Sequence, residues 1–272
     1  MTQTVSSTIT LSAQPQTIIV PPLTQMGLSE RFAELYGGIV YFCQDSGRWK
    51  VWNGKNFVHS PVLIQRYGKV TINSYLKDVS HNATIITRDG TPVTYDDVAN
   101  FVKSNSKASA INGLLFCARS LLGITAEEGD FDTQPHLFGC QNGVVDLFTG
   151  QFSGYDPQLK ISKIGGADCD LEAQCPKWLQ SLNDFTKGRE TLKEYLQVVA
   201  GYSLTGETTE QVMFLFYGTG ANGKSTFLDI LLKVAGDYGM TTPSRTLMLS
   251  NCHHCQKMIS ADGKGLIKPE IK

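Results

Sequence analysis

Residues 218–226 read Gly-Thr-Gly-Ala-Asn-Gly-Lys-Ser-Thr, and their types and spacing suit one task, the holding of nucleotide phosphates. The run fits G-x-x-x-x-G-K-[ST], the pattern of a phosphate-cradling loop. Gly218, Gly220 and Gly223 allow backbone angles closed to other residues, so bare N–H groups can close around anionic oxygens. Thr219, Ala221, Asn222 and Thr226 complete the cradle. Lys224 would reach the β- and γ-phosphates, which makes it the leading catalytic candidate, and the Ser225 hydroxyl would ligate Mg²⁺. ATP with Mg²⁺ is therefore the expected ligand. Upstream, Gln211–Tyr217 is apolar enough for a strand. Downstream, an amphipathic helix would point the positive end of its dipole at the same anion.

A second chemistry competes for the same glycines. Gly218-Thr-Gly-Ala-Asn-Gly223 also satisfies G-x-G-x-x-G, and Asp237 lies near the distance at which a dinucleotide fold places its ribose-binding acid. Asp237 follows a helix and a glycine, however, where that fold needs a second strand. The Lys224-Ser225 pair favours phosphate and Mg²⁺.

Other chemistry-bearing groups are weaker. Glu127, Glu128, Asp130 and Asp132 form an acidic cluster that reads as a solvated loop. Cys252-His-His-Cys255 has the spacing of half a zinc site, but a structural site needs four placed ligands. Trp49 and Trp52 could stack on bases, although hairpin or core packing is the better account.

The elements that would position these residues follow from periodicity and punctuation. Residues 1–26 are polar, end in Pro21-Pro22, and read as a flexible tail. Residues 27–92 read as a small β-rich unit with helices. In it, Leu28–Tyr36 is a helix with Leu28, Phe32, Leu35 and Tyr36 on one face, Ser29 as cap and Gly37-Gly38 as stop. Ile39–Cys43 and Arg48–Trp52 are strands of a meander that turns at Asn53-Gly54 toward Phe57. Residues 61–79 and 94–122 have helical spacing, with Thr94 as a cap and an apolar stripe through Ile111, Leu114, Leu115, Ala118, Leu121 and Leu122. Residues 93–206 form a mainly helical domain that also holds a strand at Gly143–Phe148 turning at Thr149-Gly150. Its last helices are 176–185, opened by Pro176, and 190–204, with Leu192, Tyr195, Leu196 and Val199 inward. Residues 207–272 form the phosphate-loop segment.

Composition bounds the rest. The chain has 272 residues, 41% hydrophobic and 18% charged, with a formal net charge of −1. That balance belongs to a folded globular protein and lacks the basic excess of a dedicated nucleic-acid binder. Seven cysteines, scattered and odd in number, with no secretory signal, point to reduced thiols in a cytoplasm. No stretch approaches the roughly 20 apolar residues of a membrane span.

Taken together, these stretches resemble the phage and plasmid DNA primase–helicase family. The residues that carry the likeness are Glu30–Tyr36, Trp49–Gly54, Asn142–Leu147, Thr149-Gly150, Cys175–Trp178, Gly201–Gly206, Phe214–Gly218 into Asn222–Thr226, and Gly236–Tyr238. The family joins a domain shared with poxvirus primase–helicases to a superfamily-3 helicase motor of the AAA+ type. The resemblance covers roughly residues 27–248 and implies an α/β fold: a mostly helical N-terminal domain with a small β-meander, followed by an AAA+-like P-loop module. It also implies a helicase whose ATP hydrolysis drives unwinding during DNA replication. Further implied are ring-shaped homo-oligomers, single-stranded DNA as track, a possible separate primase, and a phage, prophage or plasmid gene acting in bacterial cytoplasm.

Such a motor needs a Walker B acid, a polar sensor and an arginine finger after the phosphate-loop helix. The one candidate for the acid is Glu270 in Gly265-Leu-Ile-Lys-Pro-Glu270, where Pro269 is ill suited to a central strand. The expectation is therefore a truncated P-loop module. Two readings of its function stand: a helicase-type ATPase, or a shortened prophage relative that binds nucleotide or partner subunits without turnover. Single-stranded DNA binding by this chain alone is expected to be weak.

Overall fold

The computed structural model describes residues 17–81, 83–218, 220 and 222–243. Glu270, the Cys252–Cys255 cluster, and residues 219 and 221 of the phosphate loop lie outside them. The described elements begin with β1 (Thr17–Val20), α1 (Gln25–Tyr36), β2 (Val40–Cys43), β3 (Arg48–Trp52), β4 (Phe57–Val58) and α2 (Pro61–Asp78). They continue with β5 (Thr84–Thr87), β6 (Pro92–Val93), α3 (Tyr95–Asn105), α4 (Ala108–Ala118) and β7 (Thr125–Ala126). After these come β8 (Leu137–Gly139), β9 (Val144–Asp146), β10 (Phe152–Ser153), α5 (Pro176–Thr186), α6 (Glu190–Leu204) and α7 (Lys224–Ala235). The class is mixed α/β, helices with small sheets. Two compact units divide the chain: described residues up to Val51 with His59–Glu127, and Trp52–Val58 with described residues from Glu128 onward.

In the first unit, helix boundaries follow capping chemistry. Thr24 caps α1 by accepting the Gly27 N–H at 3.0 Å. Ser29, expected as the cap, sits a turn inside the helix and is fully buried. Its hydroxyl donates toward the Gln25 and Leu114 carbonyls, each 3.0 Å away, which ties α1 to α4. Thr94 caps α3 as expected, within a full capping box: its hydroxyl accepts the Asp97 N–H, and the Asp97 carboxylate accepts the Thr94 N–H at 2.9 Å. Such a box satisfies two otherwise orphaned donors.

Ile111, Leu114, Leu115 and Ala118 of α4 are buried, but Leu122 is 99% exposed. Helix α4 ends at Ala118, so the helical period no longer governs residue 122. Residues 17–20, which composition places in the polar leader, form β1 and pair parallel with β5. Three successive apolar residues, Ile18-Ile-Val20, are enough for one strand when a neighbour supplies the ladder. The β2 strand pairs antiparallel with β3 and parallel with β7. Trp49 is buried between Phe32 and Phe42, with ring centroids 6.0 and 5.1 Å away. That is the packing role, not a base-stacking one.

In the second unit, β8, β9 and β10 form an antiparallel sheet over a small core of Phe138, Cys140 and Val145. The Asp146 carboxylate accepts the Phe148 and Thr149 N–H groups and closes the turn before β10. Asp132 of the acidic cluster accepts the Ser162 N–H at 2.7 Å and so fixes a loop. Among the described residues no group of three or more His, Cys, Asp or Glu side chains could hold a metal ion. None of the five described cysteines is in a disulfide.

Candidate phosphate-binding site

The site grows from the end of α6. There the Gly206 N–H donates to the Pro135 carbonyl at 2.7 Å, and the chain turns into the apolar run 211–217. That run forms no strand, contrary to expectation. A strand is defined by its ladder, and among the described residues no neighbour pairs with this one. Its side chains still alternate as a strand's do. Phe214 and Phe216 are half-buried, the first against Tyr202 and the second against Phe227, while Leu215 is 78% and Tyr217 88% exposed. The run has the apolar content of a strand covered on both faces.

Gly218 opens the loop and Gly223 closes it. A Cβ on Gly218 would fall 2.3 Å from Asn222 Nδ2 and 3.3 Å from Lys224 Nζ, so the start of the loop folds onto its end. Gly223 has φ +78°, and a Cβ there would also fall 2.1 Å from Cδ1 of Phe185. Both constraints demand glycine. Lys224, the first residue of α7, donates from Nζ to Asn222 Oδ1 at 2.6 Å, which holds the ammonium over the loop. The first turn of α7 has no side-chain cap and no acidic residue. Its orphan N–H groups and positive dipole end are therefore uncompensated, the state that an anion satisfies. Ser225 and Thr226 are exposed in that same turn.

The body of α7 is fixed to the second unit. Phe227 is 3% exposed and packs on Trp178 and Phe216, with centroids 5.8 and 5.7 Å away. At the far end, the Gly166 N–H donates to the Val234 carbonyl and the Asp237 N–H to the Ile164 carbonyl, both at 2.9 Å. The Asp237 carboxylate accepts the Ile164 N–H at 3.2 Å. The Tyr238 hydroxyl accepts from the Gly139 N–H and donates to the Lys163 carbonyl, both at 3.0 Å, and burial raises its pKa. Asp237 is thus engaged in docking the helix end, which removes it as the ribose acid of a dinucleotide fold. Gly236 has φ +55°, and a Cβ there would strike Gly166 N at 2.5 Å, so close backbone approach fixes that glycine.

Beside the loop lies a cavity of about 410 Å³. Its lining joins Asn222, Gly223 and Lys224 to apolar and aromatic side chains of α5, α6 and the run 213–217. Sequence periodicity marks Leu192, Tyr195, Leu196 and Val199 as inward, whereas Tyr195 is 55% exposed. It gives no hint that Phe185 ends on Gly223, because that contact joins segments far apart in sequence.

With this geometry in place, the comparisons with known proteins identify the class. Residues 29–187 match the family described as "D5 N terminal like". That is more than half of the chain, and the chain belongs to this family, the primase–helicase-associated N-terminal region of phage and viral proteins. Over 111 residues it is 28% identical to "Putative helicase L207/L206" of Acanthamoeba polyphaga mimivirus, a match covering 40% of this chain and 12% of that protein. The class so defined is a family of primase–helicase-associated domains. The phosphate loop lies beyond the residues that the family model matches. No described helix is long and apolar enough to cross a membrane.

Proposed function

We propose that residues 218–226 bind ATP·Mg²⁺ and that the chain is the nucleotide-binding part of a replicative helicase of the primase–helicase type. The observation that carries this reading is the start of α7: an uncapped helix N-terminus, entered through Gly223 in the left-handed region, with Lys224 held over the loop by Asn222. Gly218, Gly220 and Gly223 shape the cradle, Lys224 neutralises the β/γ-phosphates, and Ser225 ligates Mg²⁺. Turnover in the assembled motor, on single-stranded DNA in the host cytoplasm, would draw on a Walker B acid, with Glu270 the candidate in this chain, and on neighbouring subunits of a ring. The test is calorimetric titration of the chain with ATP, with and without Mg²⁺. Saturable, Mg²⁺-strengthened binding that Lys224→Ala weakens at least about thirty-fold is the expected result, and no heat with either would refute the proposal.

A second reading, binding without turnover, has one observation in its favour. Among the described residues lining the cavity at the phosphate loop there is no carboxylate to position an attacking water. Phosphate release at ordinary enzymatic rates, of order 1 per second or faster, would exclude it.

A further inference from the structure

The cavity beside the phosphate loop has a lining that phosphate chemistry does not use. Part of it is Asn222, Gly223 and Lys224, the groups that would meet an anion. The lining also includes Phe185, Leu192, Tyr195, Leu196 and Val199, with Thr186 and Arg189 among its polar members. The aromatic wall begins where the cradle ends, since the Phe185 ring lies directly against Gly223. A volume of about 410 Å³ and a mostly apolar lining with few polar groups are the usual features of a small-molecule site. A nucleotide is charged at one end and a flat aromatic ring at the other, and the cavity lining holds groups complementary to both.

We infer that this cavity seats the base of the nucleotide whose phosphates residues 218–226 hold, by stacking and apolar contact against Phe185, Tyr195 and Leu196. The inference rests on the phosphate-loop reading and adds to it the half of the ligand that the loop does not touch. The side chains that choose between nucleotides and simple polyphosphates are then on α5 and α6. The Arg189 Nε donates to the Thr186 carbonyl at 3.1 Å, which positions the guanidinium at the cavity wall.

The test titrates the full chain with Mg²⁺·ATP and, separately, with Mg²⁺·tripolyphosphate, which presents the phosphates without a base. The wild-type chain should bind ATP at least about ten-fold more tightly, as one stacked base warrants. Leu196→Trp, which fills the cavity, should erase that advantage and leave the tripolyphosphate Kd within about two-fold of wild type. Tyr195→Ala, at a position already 55% exposed and so harmless to folding, should reduce the advantage severalfold. Equal affinities for the two ligands in the wild-type chain would overturn the inference. So would a Leu196→Trp chain with a higher melting temperature and its ATP advantage intact, since the cavity would then be a packing gap. Tripolyphosphate binding without an ATP advantage refutes the base seat alone. Binding of neither ligand refutes the phosphate loop, and the base seat with it.

Discussion

At Gly223 and Tyr75 the immediate surroundings fix what a substitution does. Gly223 combines φ +78° with a Phe185 ring where a Cβ would stand. A Gly223→Ala substitution should therefore cost about 1–3 kcal/mol from backbone strain alone, with steric overlap in addition. Chemical denaturation of the variant would check this, and unchanged stability would mean that the loop takes another conformation. Tyr75 is buried, and its hydroxyl has no hydrogen-bond partner among the described residues. Burial raises its pKa, so it remains neutral. Leaving such a group unsatisfied costs about 1–3 kcal/mol, so Tyr75→Phe should raise stability by about 1 kcal/mol. A fall of that size would reveal a partner for the hydroxyl.

At the scale of elements, the capping box of α3 makes a prediction about acid. Asp97 accepts hydrogen bonds from the Thr94 hydroxyl and N–H, and its pKa is lowered from 3.8. Because the folded value lies below the unfolded one, the stabilisation is complete above pH 3.8. It is lost as pH falls from there through the folded pKa. Asp97→Asn should lower stability at pH 7 and flatten the acid limb of the stability curve, so that the two chains converge as pH falls through that window, which thermal melts between pH 2 and 7 would show. Elements of this kind were legible in the sequence. Thr94, Pro176, and the paired glycines at 37–38 mark boundaries through local chemistry. Other features depend on partners distant in the chain. Strand β1 exists because β5 lies beside it. The run 211–217, by the same logic, is no strand where no neighbour is described. Within the candidate site the glycines, Lys224 and Ser225 could be read directly. The Phe185–Gly223 contact and the docking role of Asp237 could not, since both are made by tertiary packing.

For the molecule as a whole, the family is shown over residues 29–187, while the proposed chemistry lies after it. The net charge of −1 gives little general attraction to nucleic acid. Single-stranded DNA binding by this chain alone should therefore be weak and fall steeply between about 50 and 200 mM salt. Fluorescence anisotropy with a labelled oligonucleotide would check this, and tight binding that survives about 200 mM salt would reveal a dedicated DNA surface on this chain. If α7 and its loop hold ATP·Mg²⁺, the Lys224 ammonium carries a share of the affinity. The most direct measurement compares the ATP affinity of the wild-type chain with that of Lys224→Ala. Loss of a charge-assisted contact of about 2 kcal/mol predicts a Kd at least about thirty-fold weaker in the variant. Equal Kd values for the two chains would contradict the account.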